Sequence, residues 1–330
     1  MNNTKAKISG IEAYLPEYIL TNEELSQMVD TSDEWIMQRV GIKKRHILKG
    51  DGLATSDMGA EAVKALLQKT QTKPEDIELV IVATITPDMM FPSTACLIAD
   101  KAGLKNAWGF DLSAACSGFI FALQTASQFI ESGRNKKIIL VAADKMSSIT
   151  DYSNRTTCVL FGDAAVAMLL EPTTDGTGVI DHELHIDGSG KDLLYLKAGG
   201  SLKPASYATI DAKEHFMYQD GQSVFKIAVT KIADVSLGIM NKHNITPLDL
   251  AWFVPHQANM RIIDAVGRRM NLTTDKIMIN IQDYGNTTAA TIPLCLWEKE
   301  KELKRGDKLI LSAFGGGFTW GSIYMQWAYN

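Results

Sequence analysis

The chain has 330 residues, 46% of them hydrophobic and 22% charged, with a net charge of −5 at neutral pH. That length and apolar content provide for one large core or two medium ones and exclude a disordered chain. The negative balance excludes a general attraction to nucleic acid or to an anionic membrane, so any basic partner site must be local.

Residues 1–10, M-N-N-T-K-A-K-I-S-G, lack the pattern of a secretory signal, and no uncharged apolar run reaches the ~18 residues of a membrane span. Next, D-T-S-D-E-W-I (30–36) places Thr31 and Glu34 in a T-x-x-E capping box, which predicts a helix beginning near Ser32. Trp35 and Arg39, at i and i+4, then share one helix face. Met58, Ala62, Val63, Leu66 and Leu67 form an amphipathic stripe, and 76–84 (D-I-E-L-V-I-V-A-T) reads as a buried strand. M-M-F-P-S-T-A-C follows, with Phe91 in a proline-bearing loop before an apolar helix. A second stripe contains Ile120, Leu123, Ala126 and Ile130. Lys136–Ala143, Leu250–Val254 and Lys308–Ala313 read as further buried strands. Strands alternating with helices predict an α/β protein with largely parallel sheets.

Some patterns recur. V-I-V-A-T-I-T-P (80–87) is echoed by L-A-W-F-V-P-H (250–256), and R-N-K-K-I-I-L-V-A-A-D (134–144) by R-G-D-K-L-I-L-S-A-F (305–314). Two similar halves are expected, 1–172 and 173–330, joined at the loop-like E-P-T-T-D-G-T-G (171–178).

Four cysteines, Cys96, Cys116, Cys158 and Cys295, lie far apart without a C-x-x-C pair, which argues against a disulfide scaffold or a zinc site and fits a reducing cytoplasm. Cys96 and Cys158 stand in apolar segments and read as small buried hydrophobes. Cys116, in D-L-S-A-A-C-S-G, falls at a small-residue elbow where a helix starts. A helix N-terminus favours an anion, so the thiol there is expected to be partly thiolate and nucleophilic. The plain alternative is another buried cysteine. His256, in F-V-P-H-Q-A-N, follows a strand, where α/β proteins place their chemistry, although a loop histidine is often incidental. Asn286, in Y-G-N-T-T-A-A, is by itself only a turn residue. A-F-G-G-G-F-T-W-G-S (313–322) offers either an oxyanion cradle of backbone N–H groups or a flexible hairpin.

Taken together, D-T-S-D-E-W-I, A-A-C-S-G, F-G-D-A-A (161–165), V-P-H-Q-A-N (254–259), G-N-T-T-A-A (285–290) and G-G-G-F-T-W-G (315–321) resemble the beta-ketoacyl-acyl-carrier-protein synthase III family of the thiolase-like superfamily, over essentially the whole chain. The resemblance implies a duplicated α/β/α/β/α fold, a homodimer, and a catalytic triad of Cys116, His256 and Asn286. The implied reaction begins when acetyl-CoA or a similar short primer acylates Cys116. Malonyl-acyl-carrier-protein then loses carbon dioxide and attacks the acyl-enzyme. No metal or other cofactor is implied, since the CoA thioester is a substrate. The N–H groups of Cys116 and Gly316 are the implied oxyanion hole.

Trp35 and Arg155 are implied to sandwich the CoA adenine, with Arg39 beside them, and Gly221, Phe225, Asn259 and Arg261 to line the pantetheine tunnel. Arg261, Arg268 and Arg269 would receive the acidic carrier protein; the plain alternative is that Asp264 pairs with Arg268 at i+4 and the face is solvated. Phe91 would cross to the partner subunit and close its acyl pocket. Degradative thiolases carry a second cysteine where this chain has Ser312-Ala313-Phe314, and elongating synthases a histidine in place of Asn286. Cys-His-Asn polyketide synthases are the nearest rival enzymes, and a CoA- or acyl-binding protein that has lost catalysis is the rival of another class.

Overall fold

The computed structural model describes residues 4–330. One sheet has the strand order Lys5–Tyr14, Ala164–Thr173, Ile138–Asp144, Leu79–Ala83, Trp108–Leu112. The last three strands run parallel and the first two pair antiparallel. The other sheet has the order Trp252–Pro255, Lys308–Gly315, Thr319–Gln326, Gly178–Ile186, with its first pair parallel and the rest antiparallel.

The two orders correspond. Leu79–Ala83 takes the place of Trp252–Pro255, and Ile138–Asp144 that of Lys308–Gly315, so the strands that echo one another in sequence hold equivalent positions. The edge strand Trp108–Leu112 has as its counterpart only an isolated parallel bridge, Phe253 to Ile277.

Alternation along the strands builds the layers. Leu79, Ile81 and Ala83 share a core with Leu309, Leu311 and Ala313, filled by the helices Gly118–Glu131 and Thr291–Glu298. Those helices form the middle layer. Val80 and Val82 face the outer helices Thr55–Thr70 and Thr94–Lys101. Ile310 and Phe314 face the opposite outer helices, Gly221–Lys242 and Met260–Arg269. The architecture is therefore α/β/α/β/α.

Local expectations needed three corrections. The helix Asp33–Val40 is capped by Ser32, whose hydroxyl accepts from the Trp35 N–H at 3.1 Å, and not by Thr31. Thr31 Oγ1 is buried without a partner. The strand expected from residue 76 starts at Leu79, because Pro74–Asp76 forms a short 3₁₀ turn. Cys96 is exposed near the start of its helix, whereas Cys158 and Cys295 are buried. Among the described residues no helix is long and apolar enough to cross a membrane.

Candidate active site

The strand Trp108–Leu112 leads into a 3₁₀ turn, Ala115–Ser117, and directly on into the helix Gly118–Glu131. Ala115 has φ +48°, a left-handed conformation that costs a side-chain-bearing residue about 1–2 kcal/mol. The C-terminal hairpin holds this turn. Ser117 Oγ donates to the Thr319 carbonyl at 3.0 Å, and Thr319 Oγ1 donates to the Ala114 carbonyl at 2.8 Å. The glycine run is thus a hairpin turn and also a lid on the elbow. A Cβ at Gly315 would lie 2.7 Å from the Cys116 nitrogen, so only glycine permits that approach. The backbone N–H of Cys116 lies against its own thiol.

The surroundings of Cys116 oppose the expected thiolate. Burial pushes the Cys116 thiol up to about 12, the charge of Asp144 adds to the rise, and the backbone N–H of Cys116 opposes it. One short turn's dipole is outweighed by desolvation.

His256 follows the strand Trp252–Pro255, and its N–H donates to the Ser312 carbonyl at 2.8 Å. Gln257 pins the next residue by donating to the carbonyls of Pro255 and Met278 at 2.7 and 3.2 Å. The imidazole Nδ1 lies 2.7 Å from Thr291 Oγ1. Burial depresses His256 to about 3, so the ring is neutral at rest.

Asn286 is held through its backbone to the F-G-D-A-A segment. Its N–H donates to the Leu160 carbonyl at 2.8 Å, and its carbonyl accepts from the Gly162 N–H at 3.1 Å. Its Oδ1 accepts from the Thr288 N–H at 2.9 Å, which leaves the side-chain NH₂ as the group available to a ligand. Asp163 ties the same segment down by accepting from the N–H of Leu48 and of Ser147, both at 2.8 Å.

Cys116, His256 and Asn286 line one cavity of about 390 Å³, together with Gly221, Phe225, Asn259 and Gly316. The Arg261 guanidinium lies 5.9 Å over the Phe225 ring. Trp35 carries two guanidinium groups, Arg155 at 5.0 Å and Arg39 at 5.7 Å, and Arg155 also donates to the Asp30 carbonyl at 2.7 Å. The expected adenine seat on Trp35 is therefore taken by the chain's own guanidinium groups. Arg269 pairs with Asp234 at 3.0 Å, while Arg268 has no ion-pair partner among the described residues, Asp264 included. Phe91 is 85% exposed beside Met90 and lies outside this chain's cavity.

Sequence reading missed the cavity's roof, a small sheet of Leu194–Leu196 and Met217–Gln219. It also missed Phe314, Thr288, Thr291 and the fully buried Asp144. Asp144 accepts from Thr84 Oγ1 at 3.0 Å, from the N–H groups of Ile85 and Thr86 at 2.8 and 3.1 Å, and from the Thr288 hydroxyl. Burial raises its carboxyl above the usual range. The available signals were an aspartate ending an otherwise apolar strand and the threonines following Asn286.

Two stacked sheets around a middle helical layer, with a half-buried cysteine and a buried histidine and asparagine facing one cavity, define the thiolase-like class. The sequence matches the 3-oxoacyl-[acyl-carrier-protein] synthase III family over residues 110–188 and that family's C-terminal domain over residues 240–327. It is 55% identical to beta-ketoacyl-[acyl-carrier-protein] synthase III 2 of Bacteroides thetaiotaomicron, covering 100% of this chain and 98% of that one. It is 52% identical to beta-ketoacyl-[acyl-carrier-protein] synthase III of Chlorobium phaeovibrioides, covering 98% and 99%. The crystal structure of 3-oxoacyl-[acyl-carrier-protein] synthase III from Aquifex aeolicus matches with a TM-score of 0.89 at 40% identity, over 98% of this chain and 100% of that one. The chain belongs to the beta-ketoacyl-[acyl-carrier-protein] synthase III family.

Proposed function

We propose that this protein is an acyltransferase of fatty-acid synthesis that condenses a short acyl-CoA with malonyl-acyl-carrier-protein, giving 3-oxoacyl-carrier-protein, CoA and carbon dioxide. The observation that carries the residue assignment is the single cavity shared by Cys116, His256 and Asn286. Cys116 takes the acyl group. The N–H groups of Cys116 and Gly316 hold the tetrahedral oxyanion. Decarboxylation of the malonyl group then puts negative charge on its thioester oxygen, to which His256 Nε2 and the Asn286 amide donate. A positioned donor of this kind is worth about 3–4 kcal/mol of barrier. The CoA thioester is a substrate, and the family's reaction uses neither metal nor organic cofactor.

CoA is read as entering past Trp35, Arg39 and Arg155 and along Gly221, Phe225, Asn259 and Arg261. The carrier protein is read as docking on Arg261, Arg268 and Arg269. A homodimer is supported by the exposed Met89-Met90-Phe91 loop, an apolar protrusion suited to a second copy. A cytoplasmic setting and a division into halves near residue 172 belong to the same reading.

The test is intact-mass analysis after incubation with a panel of acyl-CoAs, followed by malonyl-acyl-carrier-protein. One acyl group is expected on Cys116, discharged with release of carbon dioxide. A protein that stays unmodified across the panel would overturn the reading.

A further inference from the structure

Thr291 is buried at the start of the helix Thr291–Glu298, and its hydroxyl stands between two neighbours. Oγ1 donates to the Thr288 carbonyl at 3.1 Å and lies 2.7 Å from His256 Nδ1. A threonine hydroxyl carries a single proton. With that proton directed at Thr288, Oγ1 can meet Nδ1 only as an acceptor, so Nδ1 carries hydrogen. A neutral imidazole holds one proton, and Nε2 is then a bare lone pair. Among the described residues no other side chain competes for Nδ1, since His256 is buried and Thr291 is the side-chain partner of its ring.

We propose that Thr291 is a positioning residue that holds His256 in the Nδ1–H tautomer, so that Nε2 accepts the proton of the Cys116 thiol. This inference rests on the condensation reading above and adds a proton path to it. Cys116 needs such a path, because desolvation and the charge of Asp144 both hold its thiol toward the protonated form.

In the first half-reaction the Sγ proton moves to Nε2 as sulfur attacks the acyl carbon. The carbon–sulfur bond to CoA then breaks, and CoA leaves with the electron pair as a thiolate. His256 is now an imidazolium, with Nδ1–H still on Thr291 and Nε2–H facing the incoming thioester. Burial tolerates that charge only beside an anion, which the malonyl carboxylate supplies. When the malonyl carbon–carboxylate bond breaks, its electron pair forms the enolate, whose oxygen accepts from Nε2–H and the Asn286 amide. The enolate carbon attacks the acyl carbon, Cys116 sulfur leaves, and Nε2 returns the proton to it. One proton goes out and comes back, and the tautomer never changes.

The experiment compares Thr291→Val, which removes the acceptor, with Thr291→Ser, which keeps it. In Thr291→Val a buried Nδ1–H would have no partner, so the ring adopts the Nε2–H form, which cannot take the thiol proton but can still donate. Quenched-flow acylation by acetyl-CoA should slow by about a hundredfold, the usual size of a lost general base. It should then rise about tenfold per pH unit as the thiol ionises unaided, a steeper dependence than in the wild type. Decarboxylation of malonyl-acyl-carrier-protein should fall far less, and Thr291→Ser should restore acylation. In the wild type, nitrogen-15 shifts of labelled histidine should show a protonated Nδ1.

An unprotonated Nδ1 in the resting wild type, normal acylation by Thr291→Val, or equal loss of both half-reactions without rescue by serine would each overturn the relay. A wild type that takes no acyl group from any acyl-CoA would overturn the condensation reading itself.

Discussion

Two turns in this molecule share a backbone and differ in chemistry. Ala115–Ser117 and Thr288–Ala290 are both three-residue 3₁₀ turns, and each opens on a left-handed non-glycine residue, at φ +48° and +50°. Each runs directly into a helix of the middle layer, and they meet where Gly118 approaches the Ala289 side chain. The first turn presents Cys116 one residue after the strained position. The second directs the Thr288 hydroxyl to Asp144, and the cavity-lining amide of Asn286, reactive on the proposed reading, stands two residues earlier. Their approaches also differ. A full strand, Trp108–Leu112, delivers the first turn. The second is reached from the single bridge at Ile277, and the stretch released from the sheet carries Asn286 to Phe161. The comparison teaches that the sheet-to-helix reversal imposes the strained backbone in both places, and that the reactive group is fitted to each reversal separately.

The sharpest way to test this division is to remove the reactive group from each turn in parallel. Cys116→Ala should abolish both acyl-enzyme and condensation, read by intact mass and product formation. Asn286→Ala should still acylate while losing malonyl decarboxylation by about 10²–10³-fold, the usual effect of one oxyanion donor. Equal loss of both half-reactions in Asn286→Ala would erase the distinction between the turns.

Gly315→Ala probes the first turn alone. Its Cβ would intrude to 2.7 Å from the Cys116 nitrogen, so acylation should fall about a hundredfold with decarboxylation less affected. Burst amplitudes separate the two effects.

Acid probes the histidine that serves both turns. Burial takes His256 from 6.5 to about 3, so below about pH 6.5 the unfolded chain binds a proton that the folded one refuses. Stability therefore falls as pH drops through that window, by about 1.4 kcal/mol per unit. The raised carboxyl of Asp144 acts in the opposite direction, which makes the difference between two proteins the useful measurement. His256→Gln should lose up to about 2 kcal/mol less than wild type between roughly pH 6.5 and 4.5 in urea unfolding. Parallel curves would show that the ring charges in the folded state.

On the proposed reading, partner contacts divide between the halves as well. On the C-terminal side, Arg268→Glu should raise the Michaelis constant for malonyl-acyl-carrier-protein by about tenfold at low salt and less at high salt. Arg269→Glu should do less, because Asp234 already neutralises Arg269. Salt-independent losses that extend to acetyl-CoA would indicate damaged folding instead. On the N-terminal side, Phe91→Thr in a dimeric enzyme should admit primers longer than roughly five carbons while sparing acetyl transfer, since close-packed pockets reject extra methylenes at ~1–3 kcal/mol. An unchanged chain-length profile would remove the gate.

Much of the frame was legible in the sequence because apolar strands bounded by turns carry strong local patterns. Leu79–Ala83 and Lys308–Gly315 lie close to where β-branched runs put them. The meeting of Cys116, His256 and Asn286 at one cavity was expected from three ordered motifs, A-A-C-S-G, V-P-H-Q-A-N and G-N-T-T-A-A. The roof of Leu194–Leu196 and Met217–Gln219 was not, since three-residue strands carry no periodicity. The upward pull on the Cys116 thiol was not legible, because a helix start is visible in sequence, whereas burial and the charge of Asp144 depend on a strand and a turn far away in the chain. Cys96 went the other way. Its segment is apolar, but the helix turns that position outward.

The stack on Trp35 bears on the order of traffic through the tunnel. Arg155 stands 5.0 Å over the indole, too near for a purine to lie between them. On the proposed reading, the resting enzyme fills its nucleotide seat with its own side chain. A CoA thioester has to evict that tenant, and recovers the loss by stacking in its place. A carrier-bound malonyl group brings the same pantetheine arm but no adenine, so it enters with the seat still taken. Two deliveries that share one corridor are thus told apart at the door.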